Sequence, residues 1–139
     1  MPPLQPVLRT LTSSAGAVHG WRALLALLAV LVAYLALTPL PPRGVDLGWD
    51  KLNHTVAFAS LAVCGWLGVR SRTLRWAMMA GLLVYGGLIE VAQSFVPGRA
   101  SELADLLADG VGIGIGAAAA SLLVALSLPS GSRPPAGSG

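Results

Sequence analysis

Three short stretches of the 139-residue chain hold most of the side chains able to move a proton or grip an anion. Asp50, Lys51 and His54 come first, spaced so that one helix face carries all three. Glu90 and Gln93 follow, three apart, and then Arg99. Asp105 and Asp109, four apart, close the set. Histidine titrates near neutrality, which suits His54 to general acid–base work. Glu90 would orient it or act as a second base. Lys51 and Arg99 are the anion-binding candidates, the arginine through its two-pronged fork. Asp50, Gln93, Asp105 and Asp109 would support them. No Ser, Thr or Cys stands out as a nucleophile beside the histidine; Thr55 and Ser101 are the nearest hydroxyls in sequence. His54, Glu90, Asp105 and Asp109 offer nitrogen and oxygen ligands. Lys51 and Arg99 would repel a divalent ion, so no metal and no cofactor is expected.

The composition dictates what must position these groups. Hydrophobic residues make up 55% of the chain and charged residues 11%. Soluble domains carry about 25% charged residues, so this chain has too little polar surface to coat a water-soluble globule. The expected fold is all-α: a small transmembrane bundle of four helices with short loops. Net charge is +3. In a membrane protein such an excess marks the cytoplasmic side rather than a nucleic-acid partner. The single cysteine, Cys64, lies in an apolar run and reads as packing.

Along the chain, residues 1–18 hold prolines, Ser, Thr and Gly and are expected to form a flexible cytoplasmic tail. The bundle is expected over residues 19–128, with helices at about 21–38, 50–69, 74–95 and 102–128. A Pro/Gly/Ser-rich tail at 129–139 follows and is expected to be disordered. A cleaved signal peptide competes for the first apolar run. No clear small-residue cleavage site precedes Pro39, Pro41 and Pro42, which favours a retained helix. Asp50 and Ser101 are expected to cap the second and fourth helices. Arg9, Arg22, Arg70, Arg72, Arg75 and Arg133 fall on one side of this arrangement, and Arg43, Lys51 and Arg99 on the other. The positive-inside rule then puts both termini in the cytoplasm of a multi-pass cell-membrane protein, with the polar cluster facing outward.

At 1.5 Å per residue, Glu90 and Asp109 lie roughly 9 Å inside their helix ends. A charge at membrane depth costs at least ~2.5–3.5 kcal/mol, so these groups must face inward and find partners. Two roles fit: a functional site, or a structural clasp fixing helix order. Gly110, Gly112, Gly114 and Gly116 contain two Gly-x-x-x-Gly spacings. With Gly86 and Gly87 they imply closely packed helices. Helices two and four begin at the same end, and helix N-termini favour anions. A transporter fits less well, because polar groups at one end leave no path across.

The same residues resemble the VanZ-like family of bacterial membrane proteins. The matching pieces are Asp50-Lys51-x-x-His54 with Phe58, Glu90-x-x-Gln93, Pro97-x-Arg99, and Asp105-x-x-x-Asp109-x-x-Gly112, in order between about residues 45 and 117. The chain departs from the family's pattern at Asp109, where the resemblance implies Asn. It implies a membrane bundle and an association with low-level resistance to the glycopeptide teicoplanin, without naming a reaction. The expected partners are membrane lipids, including a phosphate-bearing lipid or envelope precursor. The expected function is binding, or acting on, an anionic lipid or cell-envelope component. A non-catalytic bundle that binds a lipid, an antibiotic or a partner protein is the alternative.

Overall fold

Helix punctuation in this chain comes from hydroxyls, glycines and prolines. Ser14 ends one helix and caps the next, its Oγ accepting the Ala17 N–H at 3.1 Å. Ser71 does the same for Leu74 at 3.5 Å. Thr38 is extended, as a residue before proline must be, and closes the first long helix. Gly98 adopts φ +81° just beyond Pro97, a conformation that favours glycine. The structure, a computed structural model, describes residues 4–39, 50–98 and 102–128. Within them lie α1 (Leu4–Ser13), α2 (Ala15–Leu37), α3 (Asp50–Leu67), α4 (Arg72–Gln93) and α5 (Leu103–Ser127), and no strand.

Five helices rather than four is the main correction to the sequence reading. Residues 4–18 do not form an unstructured tail. Leu4, Val7, Leu8 and Leu11 recur at helical spacing, and within α1 the only proline, Pro6, sits in the first turn, where no N–H is needed. The helix is then pinned. Thr12 Oγ1 meets Ser127 Oγ at 3.1 Å, the Trp21 indole N–H donates to Leu11 O at 2.9 Å, and Arg70 donates to Ser13 O at 2.8 Å. α2 accordingly starts at Ala15, ahead of the expected residue 21. Glu102, rather than Ser101, holds the N-cap position of α5. Arg99, Ser101, Arg43 and the 129–139 segment lie outside the described residues, as does the side chain of Asp50.

α3 is the centre of the packing. Its Phe58, Leu61, Ala62, Trp66 and Leu67 are buried against Met79, Leu82 and Ile89 of α4 and Ile113, Ala117 and Ala120 of α5. Cys64 is buried and free. The α3–α5 pair is close because glycine makes it so. A Cβ on Gly112 would strike the Thr55 carbonyl, and one on Gly116 the Ala59 carbonyl. Gly114 and Gly87 meet nothing within 4 Å, so only one of the two Gly-x-x-x-Gly spacings forms the interface.

The outer surface is apolar. Leu27, Val30 and Tyr34 of α2, Val84, Leu88 and Val91 of α4, and Leu107, Ile115 and Leu122 of α5 are all exposed. Three helices, α2, α4 and α5, are long and apolar enough to cross a membrane. Their exposed large side chains form far more apolar surface than water tolerates on a monomer. α3 opens with Asp50, Lys51, Asn53 and His54, which lowers its hydropathy, and it lies inside the group. The chain runs up and down, so the starts of α3 and α5 and the end of α4 share one end of the bundle. α1 lies at the other.

Candidate functional site

The shared end gathers side chains from three helices. His54 comes from the second turn of α3, Glu90 from the last turn of α4, and Asp105 and Asp109 from the first two turns of α5. His54, Glu90 and Asp105 each present a ligand-type atom within 4.8 Å of the others. The closest contact is His54 Nδ1 to Asp109 Oδ1, 2.8 Å; Glu90 Oε1 is 3.9 Å from the same nitrogen. Asp109 is thus hydrogen-bonded to Nδ1, with Glu90 beside it. An ionised carboxylate can only accept, so towards Asp109 it is Nδ1 that donates. Asp109 has no solvent exposure, whereas the His54 side chain retains about a tenth of its surface. The dyad thus has a closed side and an open side.

Packing holds this geometry in place. Gly86 of α4 lies against the other oxygen of Asp109 and the Phe58 ring, and a Cβ there would collide with that oxygen. Thr55 Oγ1 donates to Lys51 O at 2.8 Å and approaches Ala108 O at 3.3 Å. The hydroxyl noted in the sequence is thereby a tie between α3 and α5, one turn from the dyad. Gln93 is turned away from the histidine. Its amide nitrogen donates to Ala36 O at 3.1 Å, which fastens the end of α4 to α2.

The rim is an ion-pair network. Lys51 Nζ lies 2.9 Å from Glu102 Oε2 and 3.5 Å from Asp105 Oδ1. Glu102 also donates its backbone N–H to Glu90 Oε2 at 3.2 Å. Glu102 is the residue that sequence reading missed. It looked like the first residue of a helix. Its spacing from Lys51, 51 residues along the chain, carries no local signal. With its carboxylate on Lys51 it makes no side-chain cap of its own.

The charge balance limits what this site can do. Among the described side chains, four carboxylates (Glu90, Glu102, Asp105 and Asp109) face one ammonium and one imidazole. Such an interior suits a proton or a cation better than a bare anion. His54, Glu90 and Asp105 fit a divalent ion by donor type, with Asp109 behind the histidine in the usual orienting role. The Lys51 ammonium beside Asp105 counts against that fit, because it already occupies part of the negative field. A phosphate would be held at the rim. Lys51 has three donors and spends two on Glu102 and Asp105.

A family model described as VanZ/LLP1 matches residues 12–124. That span runs from the end of α1 to the last turn of α5 and includes every described site residue. No curated protein and no solved structure matches the chain.

Proposed function

The chain belongs to the VanZ/LLP1 family, and from that premise we propose that it is a multi-pass cell-membrane protein whose polar end binds or acts on an anionic lipid or cell-envelope component. In this reading α2, α3, α4 and α5 cross the bilayer and both termini lie in the cytoplasm. The His54 end faces outward, at the level of the outer-leaflet head groups. The observation that carries the reading is the His54–Asp109 pair, 2.8 Å long, closed on one side and open on the other. A buried carboxylate that accepts from one imidazole nitrogen leaves the other as the one able to exchange a proton. Nothing in a purely hydrophobic bundle requires that arrangement, and each ionisable group at membrane depth is costly.

The division of labour follows from the charges. Lys51 and Arg99 take the phosphate at the rim, and chain connectivity keeps Arg99 within three residues of Glu102. His54 takes or gives the proton. Glu90 shares the field around Nδ1 and anchors the start of α5 through the Glu102 N–H. A role in glycopeptide resistance would follow if the bound component is an envelope precursor. The non-catalytic alternative draws on one observation: Lys51 is already paired with two carboxylates, as a structural clasp would have it.

Untargeted lipid mass spectrometry of the purified protein tests the reading. A phosphate-bearing lipid should co-purify with the wild type and be depleted in Arg99→Ala. In His54→Ala the lipid should be retained, or accumulate, if His54 performs chemistry. Equal lipid profiles in all three proteins would sink the proposal.

A further inference from the structure

The opposite end of the molecule carries a second feature that the outward site does not use. Between the polar face of α1, the start of α2 and the end of α5 lies an open cleft of about 570 Å³. Gln5, Arg9, Thr10, Ser13, Ser14 and Ser127 line it. Its walls supply a guanidinium, four hydroxyls and an amide, and no carboxylate. Among the described residues the exposed Arg9 guanidinium has neither a hydrogen-bond nor an ion-pair partner.

The surroundings point the same way. Of the six acidic residues, Asp46 is outside the described residues and the other five sit at the His54 end. Arg9, Arg22, Arg70, Arg72 and Arg75 gather at the α1 end. Arg22 donates to Gly68 O, Arg70 to Ser13 O, and Arg75 to Trp66 O and Val69 O. These bonds hold the arginines without neutralising them, because a backbone carbonyl carries no net charge. This end therefore presents five guanidinium charges with no counter-ion from the described chain.

α1 has the form of a helix lying in a membrane interface. Leu4, Val7 and Leu11 are exposed along one face, and Gln5, Arg9 and Ser13 line the cleft on another. A short basic amphipathic helix with one apolar stripe rests at the head-group boundary, its apolar side towards the acyl chains. The stripe is continuous in character with the exposed Leu122 and Leu126 of α5. Those two lie within two turns of Ser127, at the foot of the cleft.

We propose that this cleft is a binding site for the head group of an anionic phospholipid in the adjacent leaflet. Its phosphate pairs with Arg9 and the hydroxyls of Ser13 and Ser14, while Thr10 spends its own hydroxyl hydrogen on Pro6 O, and its acyl chains run beside α1 and α5. Arginine suits the role because its planar fork meets two phosphate oxygens at once. The site is distinct from the outward one. α5 alone, at 25 residues, separates the two ends by roughly 37 Å.

The test is binding of a short-chain phosphatidylglycerol, and of the matching phosphatidylcholine, to the full-length protein in neutral detergent at physiological salt. At that ionic strength charges beyond about 8 Å are largely screened, so a local contact separates from a diffuse field. Four proteins are compared: wild type, Arg9→Gln, Arg9→Lys and Arg72→Gln. Arg72 is exposed at the same end but does not line the cleft. Phosphatidylglycerol should bind wild type more tightly than phosphatidylcholine does. Arg9→Gln should weaken it roughly tenfold, the scale of one lost charge-assisted contact. Arg9→Lys should fall between the two, and Arg72→Gln should stay within about twofold of wild type. The proposal is overturned if the two lipids bind alike, if Arg9→Gln binds as wild type does, or if Arg72→Gln matches Arg9→Gln. Arg9 is exposed and makes no internal bond, so its replacement leaves the fold intact; equal melting temperatures check this.

Discussion

Replacing Gly112 by Ala should loosen the α3–α5 contact and damage the site one turn away. The added Cβ would fall inside contact distance of the Thr55 carbonyl oxygen, 3.0 Å from the Thr55 carbonyl carbon and 3.1 Å from the Ala59 nitrogen. All three are backbone atoms of a helix and cannot rotate aside. Restoring ordinary separations of about 3.5–4.0 Å moves the two helices apart by roughly 0.5–1 Å. Overpacking of this kind costs about 1–3 kcal/mol. Gly114→Ala is the matched control. Nothing lies within 4 Å of its Cβ position, so it keeps only the helix-propensity gain of about 1 kcal/mol common to both variants. Relative to Gly114→Ala, Gly112→Ala should therefore melt lower in detergent by about 4 °C or more. The displacement also reaches His54 and Asp109, which sit on the same two helices 2.8 Å apart. An opening of that size takes the pair past the ~3.2 Å limit of a sound N–H···O bond, so activity or ligand binding should fall with stability. If Gly112→Ala melts with or above Gly114→Ala, α3 and α5 do not meet backbone to backbone, and the account of the site's support is wrong.

Three further outcomes are expected. Asp109→Asn keeps an oxygen that can accept from His54 and should behave like wild type. Asp109→Ala removes the 2.8 Å bond to His54 Nδ1 and should lose function, with a stability loss of about 1–3 kcal/mol. Glu90→Gln and His54→Gln should lose function while melting near wild type, read by envelope-antibiotic susceptibility beside the melting curve; loss of function that tracks unfolding in every variant would favour the clasp. A reporter active only outside the cytoplasm, fused after Leu128, should be silent, and a cytoplasm-active reporter there should work; the reverse would turn the His54 end inward.

The polar residues divide by end as well as by sign, and this gives the molecule two different faces. One end mixes Lys51 and His54 with four carboxylates, whereas the other has arginines and no acid among the described residues.

Composition and periodicity were enough to settle that the chain is all-α and has helices long and apolar enough to cross a bilayer. Both properties are local: they depend on which residues occupy each window of about 20, and the scarcity of charge is visible without any coordinates. The residue types and spacings from Asp50 to Gly112 were likewise enough to identify the family. Partner choice was beyond the sequence. Depth along a helix brought His54, Glu90, Asp105 and Asp109 to one level, but not which carboxylate touches the imidazole. That depends on the rotation of α5 against α3, set where Gly112 and Gly116 meet the Thr55 and Ala59 carbonyls. The sequence offered two equivalent glycine spacings, and only packing selects between them. Glu102 reaches Lys51 across 51 residues, a distance that no window can see. α1 is not legible in the sequence for a related reason. Ten residues are too few to hold a helix alone, and its stability comes from Trp21, Arg70 and Ser127, contacts that exist only once the bundle has formed.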